Sequence, residues 1–111
     1  RDDELGGHST MEIEHYPGMT DKAIRAHAKT AKDRFSLAEV LVIHRYGSLK
    51  PGEMIMMVAT AAPHRNDAFQ GAEFLMDYLK SRAPFWKKEI VNGEPRWVDA
   101  KPEDEDALSR W

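Results

Sequence analysis

AAPHRNDAFQGAEFLMDYLKSRAPFWKKE, residues 61–89, is the segment from which the architecture of this chain is most readily inferred. Its apolar residues recur at helical spacing, and Pro84 disfavours helix at the residue before it, which predicts a helix from Asn66 to Arg82. A helix of about 17 residues is about 25 Å long. The predicted buried stripe comprises Ala68, Ala72, Leu75 and Leu79, flanked by Phe69 and Met76. Cationic residues gather at the two ends of the segment, where we expect a functional site.

Apolar segments on both sides of this helix predict strands. Residues 39–46 (EVLVIHRY) and 53–61 (EMIMMVATA) predict two buried strands, which form a hairpin across a loop of about six residues. Residues 85–91 predict a further strand after Pro84. Asn92-Gly93 is typical of a two-residue hairpin turn, and Pro95 in the returning strand, residues 95–98, indicates an edge position.

The two ends of the chain add three predicted elements. Residues 9–16 alternate in character, with Met11, Ile13 and His15 on one side, which predicts a half-buried strand. Thr20 is a suitable N-cap for a helix over residues 20–34, whose apolar face is mostly alanine. Near the other end, Pro102 followed by four acidic residues predicts the start of a short helix.

The order of these elements predicts the fold class. Strand, helix, strand, strand, helix, strand is typical of a ferredoxin-like βαββαβ core, in which helices cover one face of an antiparallel sheet. We therefore predict an α+β fold with this core, an extra β-hairpin and a short C-terminal helix, in one domain over residues 1–111. This fold supports many unrelated functions, so it does not by itself indicate one.

Composition restricts the chemistry. The absence of cysteine excludes disulfides, thiolate metal sites and cysteine nucleophiles, and it is consistent with a reducing compartment. A net charge of −3 argues against a nucleic-acid binder, and no apolar run approaches the roughly 18 residues that span a bilayer. The five histidines lack metal-binding spacing, so we expect no metal and no cofactor.

The cationic residues at the helix ends have a functional and a structural interpretation. His64 and Arg65, at a strand-to-helix junction, suit either anion binding or a solvated turn. Lys80 either complements the helix dipole or serves as an acid, base or nucleophile. Lys87 and Lys88 are neighbours in a strand and point to opposite faces, so only one of them can share a pocket with Lys80. Their structural interpretation is a charged edge strand.

Several stretches together resemble the family of large, catalytic subunits of molybdopterin synthase. They are EHYPGMT at 14–20, VIHRYGSLKPGE at 42–53, APHRNDAF at 62–69, and MDYLKSRAPFWKKE at 76–89 followed by RWV at 96–98. The resemblance covers nearly the whole chain, and the YLKSRAPFWKKE run is its most specific part. It implies an α/β hammerhead fold with a ferredoxin-like core, which agrees with the predicted order of elements.

The resemblance also implies an activity. Members of this family dimerise, and each end of the dimer holds a small ubiquitin-like sulfur-carrier subunit, which gives a heterotetramer. The carrier's C-terminal Gly-Gly tail, as a thiocarboxylate, enters a pocket on the large subunit. Two sulfurs pass to cyclic pyranopterin monophosphate and form the dithiolene of molybdopterin. This sulfurtransferase reaction is a step of molybdenum cofactor biosynthesis in the cytoplasm, and we expect the same partners and compartment here.

The resemblance assigns roles residue by residue. The two essential lysines of the family correspond to Lys80 and Lys87, and the full set of implied substrate contacts is Arg1, His64, Arg65, Lys80, Lys87, Lys88 and Glu89. The N-terminal part of the family domain is expected to be missing from this chain. Lys101 stands where some members have an arginine, which keeps the charge and loses bidentate geometry.

Two other functions compete with the sulfurtransferase. One is a non-enzymatic ferredoxin-like module that binds an anion or a peptide tail and has a regulatory role. The other is an assembly protein that oligomerises through the edge strand near residues 85–98 and has no pocket between Arg65, Lys80 and Lys87. The length of the predicted helix raises a further question, because its two ends cannot both touch one small pterin. Either the His64–Arg65 pair and the lysines come from different subunits of a dimer, which is the explanation that we favour, or the site is long and lined by the threaded carrier tail.

Overall fold

The computed structural model describes residues 9–98 and 102–111, so Arg1 and Lys101 lie outside the described residues. The elements are β1 (Ser9–His15), α1 (Met19–Arg34), β2 (Glu39–His44), β3 (Gly47–Leu49), β4 (Met56–Ala61), α2 (Arg65–Ser81), β5 (Phe85–Val91), β6 (Glu94–Val98) and α3 (Pro102–Leu108). All the predicted helices and strands are present, with bounds that differ by a few residues. Within this part of the chain, no helix is long and apolar enough to cross a membrane.

The strands form two antiparallel sheets, which confirms the α+β class. One sheet has four strands in the order β3-β1-β5-β6, and the other has the two strands β2 and β4. β2 and β4 pair as predicted, with Val42 opposite Val58, but their connection runs over residues 45–55 and is longer than the predicted loop of about six residues. This connection contains β3, which pairs with β1, so the strands divide between two sheets where the ferredoxin-like pattern predicts one. Gly47 has a φ of 87°, in the region that favours glycine, where the chain turns into β3.

Each sheet has its own core. Helices α1 and α2 pack on the two-stranded sheet. The buried side chains of this core are Ala31, Phe35, Leu37, Phe74 and Leu75. The four-stranded sheet buries Met11, Ile13 and Leu49, with Ile55 and Phe85 packed against them. The predicted alternation of β1 is therefore confirmed. Two separate cores give an elongated molecule, 48 × 29 × 23 Å.

The start of α1 differs from the prediction. The N-cap is Gly18, with a φ of 82°, and Thr20 lies inside the helix, so the prediction of Thr20 as N-cap is wrong. Thr20 is buried, and its hydroxyl donates a hydrogen bond to the carbonyl oxygen of Pro84, 3.5 Å away. The Thr20 hydroxyl therefore takes part in a tertiary hydrogen bond and does not cap the helix. The contact ties the start of α1 to the turn that precedes β5.

The buried face of α2 is rotated from the predicted stripe. Leu75 and Leu79 are buried as predicted, but Phe69 is 72% exposed. Asp77, which the predicted stripe does not include, is only 9% exposed, because C-terminal residues cover it. Its Oδ2 accepts hydrogen bonds from Arg110 Nη2 at 2.8 Å and from Trp111 Nε1 at 2.6 Å. A C-terminal segment far along the chain thus decides which face of α2 is buried.

The hairpin of β5 and β6 follows the sequence closely. Asn92 and Gly93 have φ values of 52° and 83°, the two positive angles that a type I′ turn requires. Pro95 lies opposite Ile90 on β6, which forms one edge of the four-stranded sheet in the described residues. The edge position predicted from Pro95 is therefore confirmed.

We expect His27→Phe to make stability less dependent on pH. The His27 ring stacks on Phe74 and Tyr78, with centroids 4.6 and 3.7 Å away, and burial lowers the pKa of His27 below its ordinary value of 6.5. Below about pH 6.5 the unfolded chain binds a proton that the folded chain resists, so stability falls as the pH falls through the lowered pKa. Phenylalanine keeps the stack without titrating.

The measurement is urea unfolding of both proteins between about pH 7.5 and pH 5. The free energy of unfolding should fall less steeply toward acid in the variant. Identical pH dependence in the two proteins would contradict the role of His27. Some dependence should persist in both, because the pKa of His44 is also lowered, chiefly by burial.

Candidate active site

His64 and Arg65 lie where β4 passes into α2. His64 is the N-cap, with extended backbone angles of −116° and 130°, and Arg65 is the first helical residue. Both side chains are exposed, and the His64 side chain makes no capping hydrogen bond among the described residues. The first-turn N–H groups and the guanidinium therefore share one end of the helix, an arrangement that suits an anion such as a phosphate.

Lys80 lies at the opposite end of α2. It is exposed in the last helical turn, and the helix runs without a break through 17 residues from Arg65 to Ser81. At a rise of about 1.5 Å per residue, the backbones of Arg65 and Lys80 are separated by about 22 Å. One protomer therefore does not bring these two cations together. A site that uses both Arg65 and Lys80 would therefore need a second copy of the chain or a long ligand.

Lys87 lies just beyond the turn that follows α2. Ala83 N donates to Tyr78 O at 3.1 Å, which closes the helix, and only three residues separate Ser81 from the start of β5. Lys87 is partly buried and lies opposite Ile13, so it shares the inner face of the four-stranded sheet with the core. Lys80 and Lys87 thus lie on consecutive elements on either side of one short turn.

Lys88 is on the other face of the same sheet. Its Nζ lies 3.5 and 3.4 Å from carboxylate oxygens of Glu12 and Glu14, and 5.3 Å from the centre of the Trp97 ring. These contacts give Lys88 a structural role, but the expectation that it lies on a charged edge strand is wrong, because β5 pairs with β1 on one side and β6 on the other. Glu89 returns to the face of Lys87, opposite Met11 and Arg96. The prediction that the two neighbouring lysines point to opposite faces is confirmed by the register.

A cluster of aromatic rings next to Lys87 was not predicted from the sequence. His44 stacks on Phe85 with centroids 3.7 Å apart, and His15 lies 4.2 Å from Tyr46 and 5.9 Å from Phe85. These four side chains line a cleft of about 230 Å³ at the start of α1. The residues are far apart in the chain, so no local motif indicates the cluster.

Electrostatics distinguish His44 within this cleft. Burial lowers the pKa of His44, and the nearby charges of Lys87 and His15 lower it further, against an opposing hydrogen bond to the Arg45 carbonyl. The ring is therefore uncharged near neutral pH. In the described part of the chain, no group of three or more His, Asp or Glu residues is arranged to hold a metal ion.

Comparison with known proteins identifies the family. The family model described as MoaE protein matches residues 1–82. The molybdopterin synthase catalytic subunit of Cereibacter sphaeroides is 63% identical over 109 residues, which cover 98% of this chain and 75% of that protein. The chain belongs to the family of molybdopterin synthase catalytic subunits. It is thereby grouped with the enzymes of molybdenum cofactor biosynthesis.

Solved structures agree with this membership. The molybdopterin biosynthesis MoaE protein of Burkholderia ambifaria superimposes with a TM-score of 0.77 at 54% identity, covering 92% of this chain and 71% of that one. A chain in the complex of subunits 1 and 2 of the molybdopterin-converting factor of Helicobacter pylori shares the fold, with a TM-score of 0.72 at 16% identity. The match covers 84% of this chain and 62% of that chain. The chain spans 60% to 75% of the length of the first curated relatives that it matches.

The residues assigned from the resemblance to molybdopterin synthase catalytic subunits lie at three places in the described part of the fold. Lys80, Lys87 and Glu89 lie around the α2–β5 turn and the inner face of β5. His64 and Arg65 lie at the far end of α2, and Lys88 is on the outer face of β5. Arg1 is outside the described residues. His44, Phe85 and His15 are the neighbours of Lys87 that sequence reasoning missed.

Proposed function

We propose that the chain transfers sulfur from the thiocarboxylated C-terminal tail of a small ubiquitin-like carrier to cyclic pyranopterin monophosphate, forming molybdopterin in the cytoplasm. The observation that carries this proposal is the placement of Lys80 and Lys87 across one turn, with Lys87 partly buried on the same face of β5 as Phe85, which lines a cleft. The carrier tail and the cyclic phosphate are both anions. Lysine, arginine and a helix N-terminus are their expected complements.

The two lysines receive different roles in this proposal. Sulfur attack and loss of the displaced oxygen require proton transfer and stabilisation of developing negative charge. Lys80 is exposed at a helix end and acts as the principal acid, base or electrostatic catalyst. Lys87 is held on the inner face of β5 and positions the substrate and the thiocarboxylate. His64 and Arg65 bind the phosphate of the pterin.

The separation along α2 supports a site shared between two copies of the chain. About 22 Å of helix stands between Arg65 and Lys80, which is more than one pterin spans. The outward face of the β2–β4 sheet offers a surface for self-association, because Leu41, Ile43 and Met57 are each nearly half exposed there. A homodimer would bring the His64–Arg65 end of one copy to the lysines of the other.

The carrier completes the proposed assembly. A protein of the same fold forms a complex of two molybdopterin-converting factor subunits. By analogy, one carrier binds at each end of the homodimer and threads its Gly-Gly tail toward Lys80 and Lys87. The heterotetramer then holds two sites, each supplied with sulfur by its own carrier.

The test is to mix the chain with thiocarboxylated carrier and cyclic pyranopterin monophosphate. We expect molybdopterin to form, and the carrier to return to its carboxylate form, as read by mass spectrometry. Carrier with an ordinary C-terminal carboxylate is the matched control and should yield no product. Binding of the carrier and the pterin without consumption of the thiocarboxylate would instead support the regulatory binding module.

A further inference from the structure

His44 ends β2 and joins the two sheets through its ring. The ring stacks on Phe85 of β5 with a 3.7 Å centroid separation and an angle of 15° between planes. His44 Nδ1 lies 2.6 Å from the carbonyl oxygen of Arg45. A carbonyl oxygen can only accept, so Nδ1 carries the proton and Nε2 keeps its lone pair in the neutral ring. Both the orientation and the tautomer of the ring are thereby fixed.

Lys87 is the next residue on the same face of β5 after Phe85. Residues two apart in a strand lie about 6.6 Å apart on one face, so the side chain of Lys87 leaves the strand beside the stacked rings. The charge of Lys87 is one of the causes that lower the pKa of His44. On this face Lys87 is flanked along β5 by Phe85 and Glu89, and it lies opposite Ile13 of β1 and Val98 of β6.

We propose that His44 is a positioning residue for Lys87, whose neutral ring fixes where the lysine ammonium lies and offers it the Nε2 lone pair. The inference rests on the proposed function of Lys87. An imidazole without charge can stand next to an ammonium group without repelling it, whereas a protonated ring cannot. The stack on Phe85 holds the ring at one place, so the acceptor is ready before substrate binds.

Other titratable groups around His44 set the conditions for this role. His15 approaches from β1, Lys87 from β5 and Asp21 from the first turn of α1, while Tyr46 follows β2. Burial, Lys87 and His15 all lower the pKa of His44. The ring therefore stays neutral to a pH below the ordinary value of 6.5 for histidine. Protonation at lower pH would place a second cation beside Lys87.

Two variants of His44 separate its acceptor from its stack. His44→Phe keeps a ring against Phe85 and removes the acceptor, whereas His44→Gln keeps an acceptor near the place of Nε2 and loses the stack. We expect His44→Phe to lower kcat about tenfold with little change in KM, and His44→Gln to keep most of kcat. A purely structural role predicts the opposite order, and that order would overturn the proposal. His27→Phe, the same change in another stacked histidine, is the control and should leave kcat unchanged.

A second measurement does not depend on activity. Lysines labelled by ¹³C-methylation are titrated by NMR in the wild type, His44→Phe and His44→Gln, and Lys87→Ala assigns the Lys87 signal. We expect the Lys87 pKa and chemical shift to change in His44→Phe and to be largely restored in His44→Gln. An unchanged Lys87 signal in a folded His44→Phe protein would overturn the proposal. If the wild type made no molybdopterin, the proposed function would fail while this titration still decided the role of His44.

Discussion

Arg65→Ala and Lys80→Ala chains produced together should recover about a quarter of the wild-type activity, although each variant alone is nearly inactive. Loss of an acid–base group lowers rates by about 10²- to 10⁴-fold, and loss of a charge-assisted hydrogen bond by about 10- to 100-fold. Random pairing makes about half of the dimers mixed, and one of the two sites in each mixed dimer receives both intact groups. The physical basis is the separation of these residues along the 17-residue helix α2.

The matched control puts both substitutions on one chain. Wild-type chain produced together with the Arg65→Ala/Lys80→Ala chain should also keep about a quarter of the activity, because every site of a mixed dimer then lacks one group. The initial rate of molybdopterin formation at equal total chain concentration is the measurement in both cases. Sites contained within one chain would give the contrary pattern, with no recovery in the first mixture and about half of the activity in the second.

Leu75→Ala should lower the free energy of unfolding by about 3 kcal/mol, within the range of about 2–5 kcal/mol seen for buried leucines. Leu75 of α2 is 1% exposed. It packs in the core between α1 and α2, among Ala31, Phe35, Leu37 and Phe74. The helices and the sheet hold this space from three sides, so the cavity left by alanine cannot collapse easily. For a domain of ordinary stability, about 5–15 kcal/mol, the loss is a large fraction of the total.

Phe69→Ala is the control for this substitution. Phe69 lies on the same helix and was predicted to flank its buried stripe, but it is 72% exposed, so we expect a change within about 0.5 kcal/mol. Urea unfolding followed by tryptophan fluorescence measures both variants. Equal losses in the two would mean that the buried face of α2 is not the one described here.

Local patterns predicted most of the elements correctly. Alternation at Met11 and Ile13 indicated β1, Pro84 marked the end of α2, and Asn92-Gly93 specified the turn of the last hairpin. These signals work because a strand face, a helix end and a tight turn are each set by residues a few positions apart. The pairing of β3 with β1 was not predicted, because a three-residue strand carries no periodicity of its own.

The candidate site was predicted only in part. Side-chain chemistry and the resemblance indicated Lys80, Lys87, His64 and Arg65, and strand alternation correctly placed Lys87 and Lys88 on opposite faces. The surroundings of Lys87 could not be predicted, because His44 reaches Phe85 across 41 positions of the chain and from the other sheet. Whether His64 and Arg65 join the lysines through a dimer stays a prediction.

The segment 61–89 shows where the two kinds of information divide. Its residues alone specify a helix of about 17 residues with cations at both ends, since helical spacing and a proline stop are local properties. The burial of Asp77 under Trp111, the exposure of Phe69 and the stacking of Phe85 on His44 come from packing between distant parts of the chain. Those contacts depend on which surfaces meet when the sheets and helices assemble. The periodicity of one segment does not specify which distant segments it will contact.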